Sequence, residues 1–395
     1  MDKICSRCIL DSTVKDIWFD DRGECKYCKI NDEMEKDHPL DNNSDIRLNA
    51  LVEKIKADGK NKPYDCIAGT SGGRDSTYTL LKAIELGLRP LAVHFDNGWN
   101  TEISVKNIKR ACEKLNIPLY TVVADWEEFK DLQVSFLKSS TPDADIPTDY
   151  AIYSVLFKVA SKEGVKYILN GHSFRTEGTS PISWTYMDGR YLKSVHKKHG
   201  KIKKIKSFPV MTLPKLLYFT LGKGIKDIRI LEYMEYRKKD VDKVLKEKLE
   251  WEYYGGHHHE NVYTKFFQSY YLPTKFNIDK RKTELSALVR SGQIKREDAL
   301  KEISSSSYQY DPAVVEYTRN KLGLSEDEFN VIMKNPIKTH DDYPTYLPLI
   351  KILKWPIKIA TKLKLLPRIL YLKYASNSFL VLFENIQSVN LFQIV

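Results

Sequence analysis

The chain has 395 residues, with 63 Lys+Arg against 52 Asp+Glu for a net charge of +11, 42% hydrophobic residues and 24 tyrosines. This composition excludes a disordered chain, a collagen and a disulfide-dense miniprotein, and the length predicts two or three units with a sizeable core. The excess of base predicts a polyanionic ligand, nucleic acid or a membrane surface, without choosing among them.

Met1–Cys5 contains no apolar signal region. The most apolar uncharged stretch near the other end, Tyr374–Phe383, falls well short of the ~20 residues that span a bilayer. A cytoplasmic protein is expected. Residues 1–30 are cysteine-rich, with the pattern Cys5-x2-Cys8-x16-Cys25-x2-Cys28. Four thiolates in two knuckles can surround one tetrahedral Zn(II), and such a closed site is structural rather than catalytic. Four free thiols, an iron–sulfur cluster or redox use are the alternatives. A polar stretch, Asn31–Ser44, follows as a linker, then a helix over Ile46–Ala57.

From Tyr64 the pattern becomes strands alternating with helices. Strands are expected at Tyr64–Ala68, Pro90–Phe95, Leu119–Val123 and Lys166–Leu169. Helices are expected at Ser76–Leu86, Glu102–Leu115 and Thr148–Lys162. That alternation predicts an α/β fold with a doubly wound parallel sheet, whose ligand lies at the carboxyl ends of the strands. The first strand runs directly into Ala68-Gly69-Thr70-Ser71-Gly72-Gly73-Arg74-Asp75-Ser76. Gly72 and Gly73 allow positive φ and a close backbone approach, while Ser71, Ser76 and the helix N-terminus add donors, a combination suited to phosphate. No Gly-Lys-Ser/Thr ending follows, so this is not a Walker A loop. Gly69–Gly73 also matches the G-x-S-x-G nucleophile elbow, but that elbow normally follows several strands.

Beyond residue 180 the alternation fades. Lys193–Lys206 is a lysine run, which reads as a solvated face, and Leu213–Lys248 reads as helical. Trp251–Arg281 is aromatic and contains His257–His259. Thr283–Arg290 and Arg296–Ile303 read as a helical hairpin, with Gly292 as the left-handed residue after the first helix. Cys66 and Cys112 sit in apolar patterns and read as core. There is no internal repeat. The domains expected are 1–44, 45–210, 211–345 and a basic, apolar tail at 346–395.

Ser71-Gly72-Gly73-Arg74-Asp75-Ser76 resembles the SGGxDS loop of the PP-loop ATP pyrophosphatases over roughly residues 64–175. A closer resemblance joins the four-cysteine knuckle and this loop to Asn170–Gly178, Tyr254–Glu260, Phe267–Pro273 and Asp279–Lys282. Together these are similar to the N-acetyl sugar amidotransferases of bacterial surface-polysaccharide biosynthesis, over about residues 1–345. The resemblance implies an ATP-dependent, AMP-forming ligase that replaces the oxygen of an N-acetyl group with ammonia, giving an acetamidino group. Ser71, Gly72, Gly73 and Ser76 would hold the pyrophosphate of ATP, Asp75 the Mg(II), and Asp96, Asn97 and Gly171 would stand near the nucleotide. Lys280 and Arg281 would meet phosphate or carboxylate, while His172, His258 and Glu260 are candidates for the base.

Neither Cys66 nor Cys112 has the setting of a glutaminase nucleophile. The resemblance therefore implies ammonia from a separate glutaminase with a cyclase-like subunit. The alternatives are a tRNA-modifying ATP pyrophosphatase and a non-catalytic, zinc-dependent scaffold at the membrane. For the latter, Lys351–Lys373 alternates bases with Ile, Leu, Trp355 and Pro, as an interfacial segment does, which also predicts peripheral contact with the inner membrane. A partner-binding or core-packing helix fits the same segment. Lys193–Lys206 carries +7 and residues 351–395 carry +6, so the remainder is close to neutral. Basicity confined to two segments weakens a nucleic-acid-wrapping surface, and no nucleic-acid partner is expected.

Overall fold

The computed structural model describes residues 2–256, 258–305, 310–363, 366 and 368–375. Helices α1 (Lys26–Asp37) and α2 (Ser44–Gly59) lead to β1 (Cys66–Gly69), α3 (Arg74–Glu85), β2 (Pro90–Asp96), α4 (Glu102–Lys114) and β3 (Leu119–Val123). Then come α5 (Trp126–Ser139), α6 (Ile146–Lys162), β4 (Tyr167–Asn170), α7 (Gly189–His199), α8 (Leu213–Leu217) and β5 (Lys226–Arg229). The rest is helical: α9 (Lys238–Leu249), α10 (Val262–Phe266), α11 (Leu272–Phe276), α12 (Arg281–Arg290), α13 (Arg296–Ser305), α14 (Pro312–Lys321) and α15 (Glu326–Lys334). Short helices α16 (Leu347–Ile352), α17 (Lys354–Lys362) and α18 (Arg368–Leu370) end the described chain.

All five strands are parallel, in the order β3-β2-β1-β4-β5. Successive side chains alternate between the faces. Cys66, Ala68, Ala92 and Leu169 pack with Val52, Ile55, Leu80, Ile108 and Leu245, the inner faces of α2, α3, α4 and α9. Ile67, Leu91, Val93 and Ile168 point the other way, against Phe129, Phe136, Tyr150 and Phe157 of α5 and α6. The direction of winding reverses between β1 and β4, and that crevice faces the loops after both strands.

The doubly wound sheet, the buried cysteine unit and the helical C-terminal region all stand as expected, with the first four strands shifted by two residues or fewer. Four local expectations fail, each for a physical reason. The stretch Asn31–Ser44 is not all linker, because α1 continues to Asp37 and buries Ile30, Asn31 and Met34. The helix α5 was missed because it is buried on most sides, with Gln133, Ser135 and Ser139 inside, so no polar stripe marks it. Leu213–Lys248 is not one helix. Its chain widens into a π turn at Tyr218–Gly222, passes Gly224 at φ +66°, and forms the edge strand β5 before α9. The lysine run is only partly a solvated face, since α7 buries Tyr191, Leu192, Val195 and His196 beneath its exposed lysines. Residues 376–395 and His257 lie outside the described residues.

A continuous cluster of buried residues runs from Cys5 through the sheet to Ala375. The first residues are pinned to the helical hairpin α12–α13. Arg296 donates to the carbonyls of Cys5 and Cys8 at 2.7 and 3.0 Å, and Lys282 pairs with Asp11 at 2.6 Å. Between α10 and α11 the helix widens into a π turn at Phe267–Tyr271, which accommodates Pro273 without its missing N–H.

Candidate active site

The loop after β1 turns on Gly72, at φ +76°, where a side chain would strike the carbonyl of Ser104. Its carbonyl accepts from Trp251 Nε1 at 2.9 Å and Asn107 Nδ2 at 3.2 Å, so the loop is braced from behind. Inside the turn, Ser71 N–H donates to Ser76 Oγ at 3.2 Å, and Gly73 N–H to Ser71 Oγ at 3.3 Å. Arg74 N–H, at the first turn of α3, donates to Tyr254 Oη at 3.3 Å, while the Arg74 guanidinium is held by Asp242. Backbone donors and hydroxyls thus gather at a helix N-terminus, an arrangement that favours an anion. At Gly171, after β4, a Cβ would come within 2.8 Å of the Asp75 backbone, so only glycine lets the two loops touch.

A chain of acid and base crosses from one loop to the other. Ser71 Oγ donates to Glu260 Oε1 at 3.2 Å; Glu260 Oε1 lies 3.6 Å from His258 Nδ1; His258 Nε2 lies 3.8 Å from Glu177; and Glu177 meets His172 Nδ1 at 2.8 Å. Glu260 is buried, and its second oxygen, Oε2, has no hydrogen-bond partner among the described residues. Burial opposes charge on His258, but Glu260 and Glu177 outweigh it and raise its pKa to about 9. Burial pushes Glu260 upward, yet His258 and Ser71 hold its carboxyl below the ordinary value. Asp75 is raised to about 6 by burial and by Glu177, against the pull of Lys238 and the Tyr236 hydroxyl that donates to it. Burial together with its neighbour Lys265 lowers His259 to about 4, leaving it neutral.

The structure therefore brings together Ser71, Gly72, Gly73, Asp75, Ser76, Gly171, His172, His258 and Glu260. Asp96 and Asn97 stand next door at the end of β2. There Asp96 Oδ1 caps Gly98 N–H at 2.9 Å, and Asn97 Oδ1 accepts from Asn261 Nδ2 at 3.3 Å. Lys280 lies over the Phe267 ring at 5.8 Å, and its charge favours ionised Asp143, Asp145 and Asp149. Arg281 is forked onto Asp279 at 2.6–3.1 Å. Sequence reasoning assigned no role to Glu177, Tyr236, Tyr254, Asp242 or Lys238. Glu177 lay within a quoted motif and Tyr254 within another; nothing in the sequence marked Tyr236 or Asp242.

The strap that supplies His258 and Glu260 runs beside the end of β2. Thr101 N–H donates to the Glu260 carbonyl at 3.0 Å, and Val262 N–H to the Trp99 carbonyl at 2.8 Å. Residues 260–356 match the family described as LPS biosynthesis protein WbpG-like, C-terminal domain. Those residues are similar to that domain. Glu260, the carboxylate on Ser71, is the first residue of that WbpG-like match. Solved structures resembling the backbone include NMN synthetase from Francisella tularensis, at 13% identity over 75% of this chain and 99% of that one, TM-score 0.32. The NH3-dependent NAD synthetase of Campylobacter jejuni gives 14% identity over 52% of this chain and 93% of that one, TM-score 0.26. A predicted tRNA methyltransferase subunit from Methanocaldococcus jannaschii gives 13% over 45% and 73%, TM-score 0.27. Likenesses this loose carry no argument. No curated protein matches the chain.

The four N-terminal cysteines form a second centre. All are buried, with Sγ–Sγ separations of 3.7 Å (Cys5–Cys28), 3.6 Å (Cys8–Cys25) and 3.8 Å (Cys25–Cys28), and every pair within 4.8 Å. A tetrahedral ion with metal–sulfur bonds of about 2.3 Å places its sulfurs about 3.8 Å apart. Backbone N–H groups of Arg7, Cys8 and Cys25 point at Cys5 Sγ from 3.4, 3.4 and 3.2 Å. Arg290, whose charge acts on Cys8, has buried Nε and Nη1 atoms with no hydrogen-bond partner among the described residues. Four thiolates around a divalent ion leave two negative charges, which suits that guanidinium. The residues fit a metal.

Proposed function

We propose that the chain is an ATP-dependent amidotransferase acting on the N-acetyl group of a surface-polysaccharide sugar precursor, nucleotide-linked or acidic. The observation that carries this reading is the meeting of two parts: the anion-binding loop after β1 and a WbpG-like region whose first residue bonds to Ser71. An amide carbonyl is too poor an electrophile for ammonia to displace its oxygen. In the proposed reaction the amide oxygen attacks the α-phosphorus of ATP, the bond to the β-phosphate breaks, and pyrophosphate leaves. Ammonia then adds to the imidate carbon and AMP departs with the former amide oxygen.

The loop at Ser71–Ser76 supplies preorganised donors for the charge that collects on pyrophosphate. Asp75 would hold Mg(II), which would neutralise phosphate oxygens when bound; burial first and Glu177 second raise the pKa of Asp75, and a cation there would offset both. His258, with its pKa at about 9, presents a cation at neutral pH, whereas Glu260, anionic with Oε2 uncommitted, is placed to accept the proton shed by the ammonia adduct. Burial raises the Cys66 thiol and takes Cys112 to about 11, so neither is an activated nucleophile. This supports ammonia arriving from a separate glutaminase, through a cyclase-like subunit. Zn(II) is the ion proposed for the four cysteines.

The test is an assay with ATP, Mg(II), ammonium and a panel of N-acetylated nucleotide sugars. AMP and pyrophosphate formed in step with the mass change for oxygen replaced by NH is the expected result. ADP as the nucleotide product overturns the reading.

A further inference from the structure

The two segments that hold the excess of base are far apart in sequence, but the first packs on the residues that lead into the second. Lys193, Lys197, Lys198, Lys201, Lys203, Lys204 and Lys206 are all exposed along α7 and the loop after it. The helix α7 abuts the segment that leads into α16: Ser194 Oγ donates to the Pro344 carbonyl at 3.2 Å, the Lys198 ammonium lies 5.2 Å from the Tyr343 ring, and the Arg190 guanidinium 6.0 Å from Tyr346. Around this junction Asp131 and Glu128 accept from the backbone N–H groups of Lys201 and Lys206 at 2.9 and 2.6 Å, Asp188 and Asp342 from those of Tyr346 and Thr339 at 2.7 and 2.8 Å, and Asp341 stands exposed.

Beyond that junction the chain leaves an apolar row in water. Ile352, Trp355, Ile359 and Leu363 are 77%, 56%, 58% and 64% exposed, while Ile357 and Thr361 on the opposite side of α17 are buried. The four-residue step puts Trp355 and Ile359 on one stripe of α17, continued by Leu363 just past its end, while Ile352 closes α16. Lys351, Lys354, Lys358 and Lys362 each precede a member of that row, so they form a parallel stripe beside it. The ammonium groups of Lys354 and Lys358 lie 5.7 and 5.0 Å from the Trp355 ring. No acid occurs between residues 351 and 375. A nucleic acid would satisfy the lysines but leave the apolar row wet. An apolar row flanked by lysines that can keep their heads in water matches the boundary between lipid headgroups and acyl chains.

We propose that α16 and α17, with the lysines of α7 beside them, dock the protein on an anionic lipid surface. The inference does not depend on the reaction assigned to the active site. It is tested with the full chain by flotation with phosphatidylglycerol-containing vesicles and with pure phosphatidylcholine vesicles. The expected result is flotation with the first and not the second, lost as salt is raised. A blue shift of tryptophan emission should accompany binding and be reduced in Trp355→Phe. The triple variant Ile352→Ser, Trp355→Ser, Ile359→Ser should bind at least about tenfold more weakly, and Lys197→Glu with Lys201→Glu should bind more weakly too. Circular dichroism and Tm should be unchanged in both, because these side chains are exposed. The proposal is overturned if the full chain ignores anionic vesicles, or if the triple variant floats like wild type. It is equally overturned if the triple variant instead dissociates a dimer of a chain that binds no lipid.

Discussion

Glu260 puts a carboxylate where the loop is built to receive an anion. Its Oε1 accepts from Ser71 and lies against Gly73, where even a Cβ would come within 2.8 Å of it. An incoming phosphate must displace it. Glu260→Gln should therefore tighten magnesium-free pyrophosphate binding by about tenfold, while Ser71→Ala should weaken it by about as much. Titration calorimetry reads both, and weaker binding by Glu260→Gln would refute the displacement. The proton on His258 carries its own signature. Its pKa is raised to about 9 from about 6.5, so its contribution to stability is complete below the lower value and disappears as pH rises through the higher. The Tm advantage of wild type over His258→Gln should shrink across that window, and a constant gap would show that the imidazole stays neutral. Ser71, Gly72 and Ser76 were legible in the sequence from backbone conformation and donor chemistry, and Asp75 from the family resemblance. Glu177 and Tyr236 were not, because each acts through a partner that only the tertiary fold brings within reach.

Among the elements, β1, β2 and β4 declared themselves through apolar runs buried on both faces, and β3, whose side chains alternate between exposed and half-buried, through Leu119, Val122 and Val123. The edge strand β5 reads Lys-Asp-Ile-Arg and pairs only with β4, so its sequence has no such run. The cysteine spacing was legible, but its mooring to α12 and α13 was not, since Arg296 lies 288 residues from Cys8. Emptying the four-cysteine site of any bound metal should loosen that mooring. Chelation, or Cys25→Ser, should lower Tm by about 5 °C or more and release a stoichiometric metal, measured by calorimetry and elemental analysis. Another joint is Arg175, buried after β4, which forks onto Glu35 of α1 and donates to the Glu232 carbonyl at 3.0 Å. Arg175→Ala should cost roughly 2–4 kcal/mol in denaturant unfolding, because the Glu232 carbonyl and the Glu35 carboxylate lose a charged donor together.

For the whole molecule, one buried cluster spans Cys5 to Ala375. Tyr371, Leu372 and Ala375 are buried, and Arg368 pairs with Glu33 and Asp37 of α1. A chain ending at residue 345 should thus lose Tm and expose apolar surface to a hydrophobic dye. An unchanged melting curve would make the last helices an appendage. No helix among the described residues is long and apolar enough to cross a membrane.

The joints named above also form one line. Arg296 grips the cysteine unit; Gln293, in the turn between α12 and α13, donates to the Tyr236 carbonyl at 3.0 Å and accepts from Lys238 N–H at 3.2 Å; and the Tyr236 hydroxyl holds Asp75. A copy synthesised while the metal is scarce would keep its sheet and lose the support behind Asp75. Metal loading of the four cysteines would then set how many copies are ready to work.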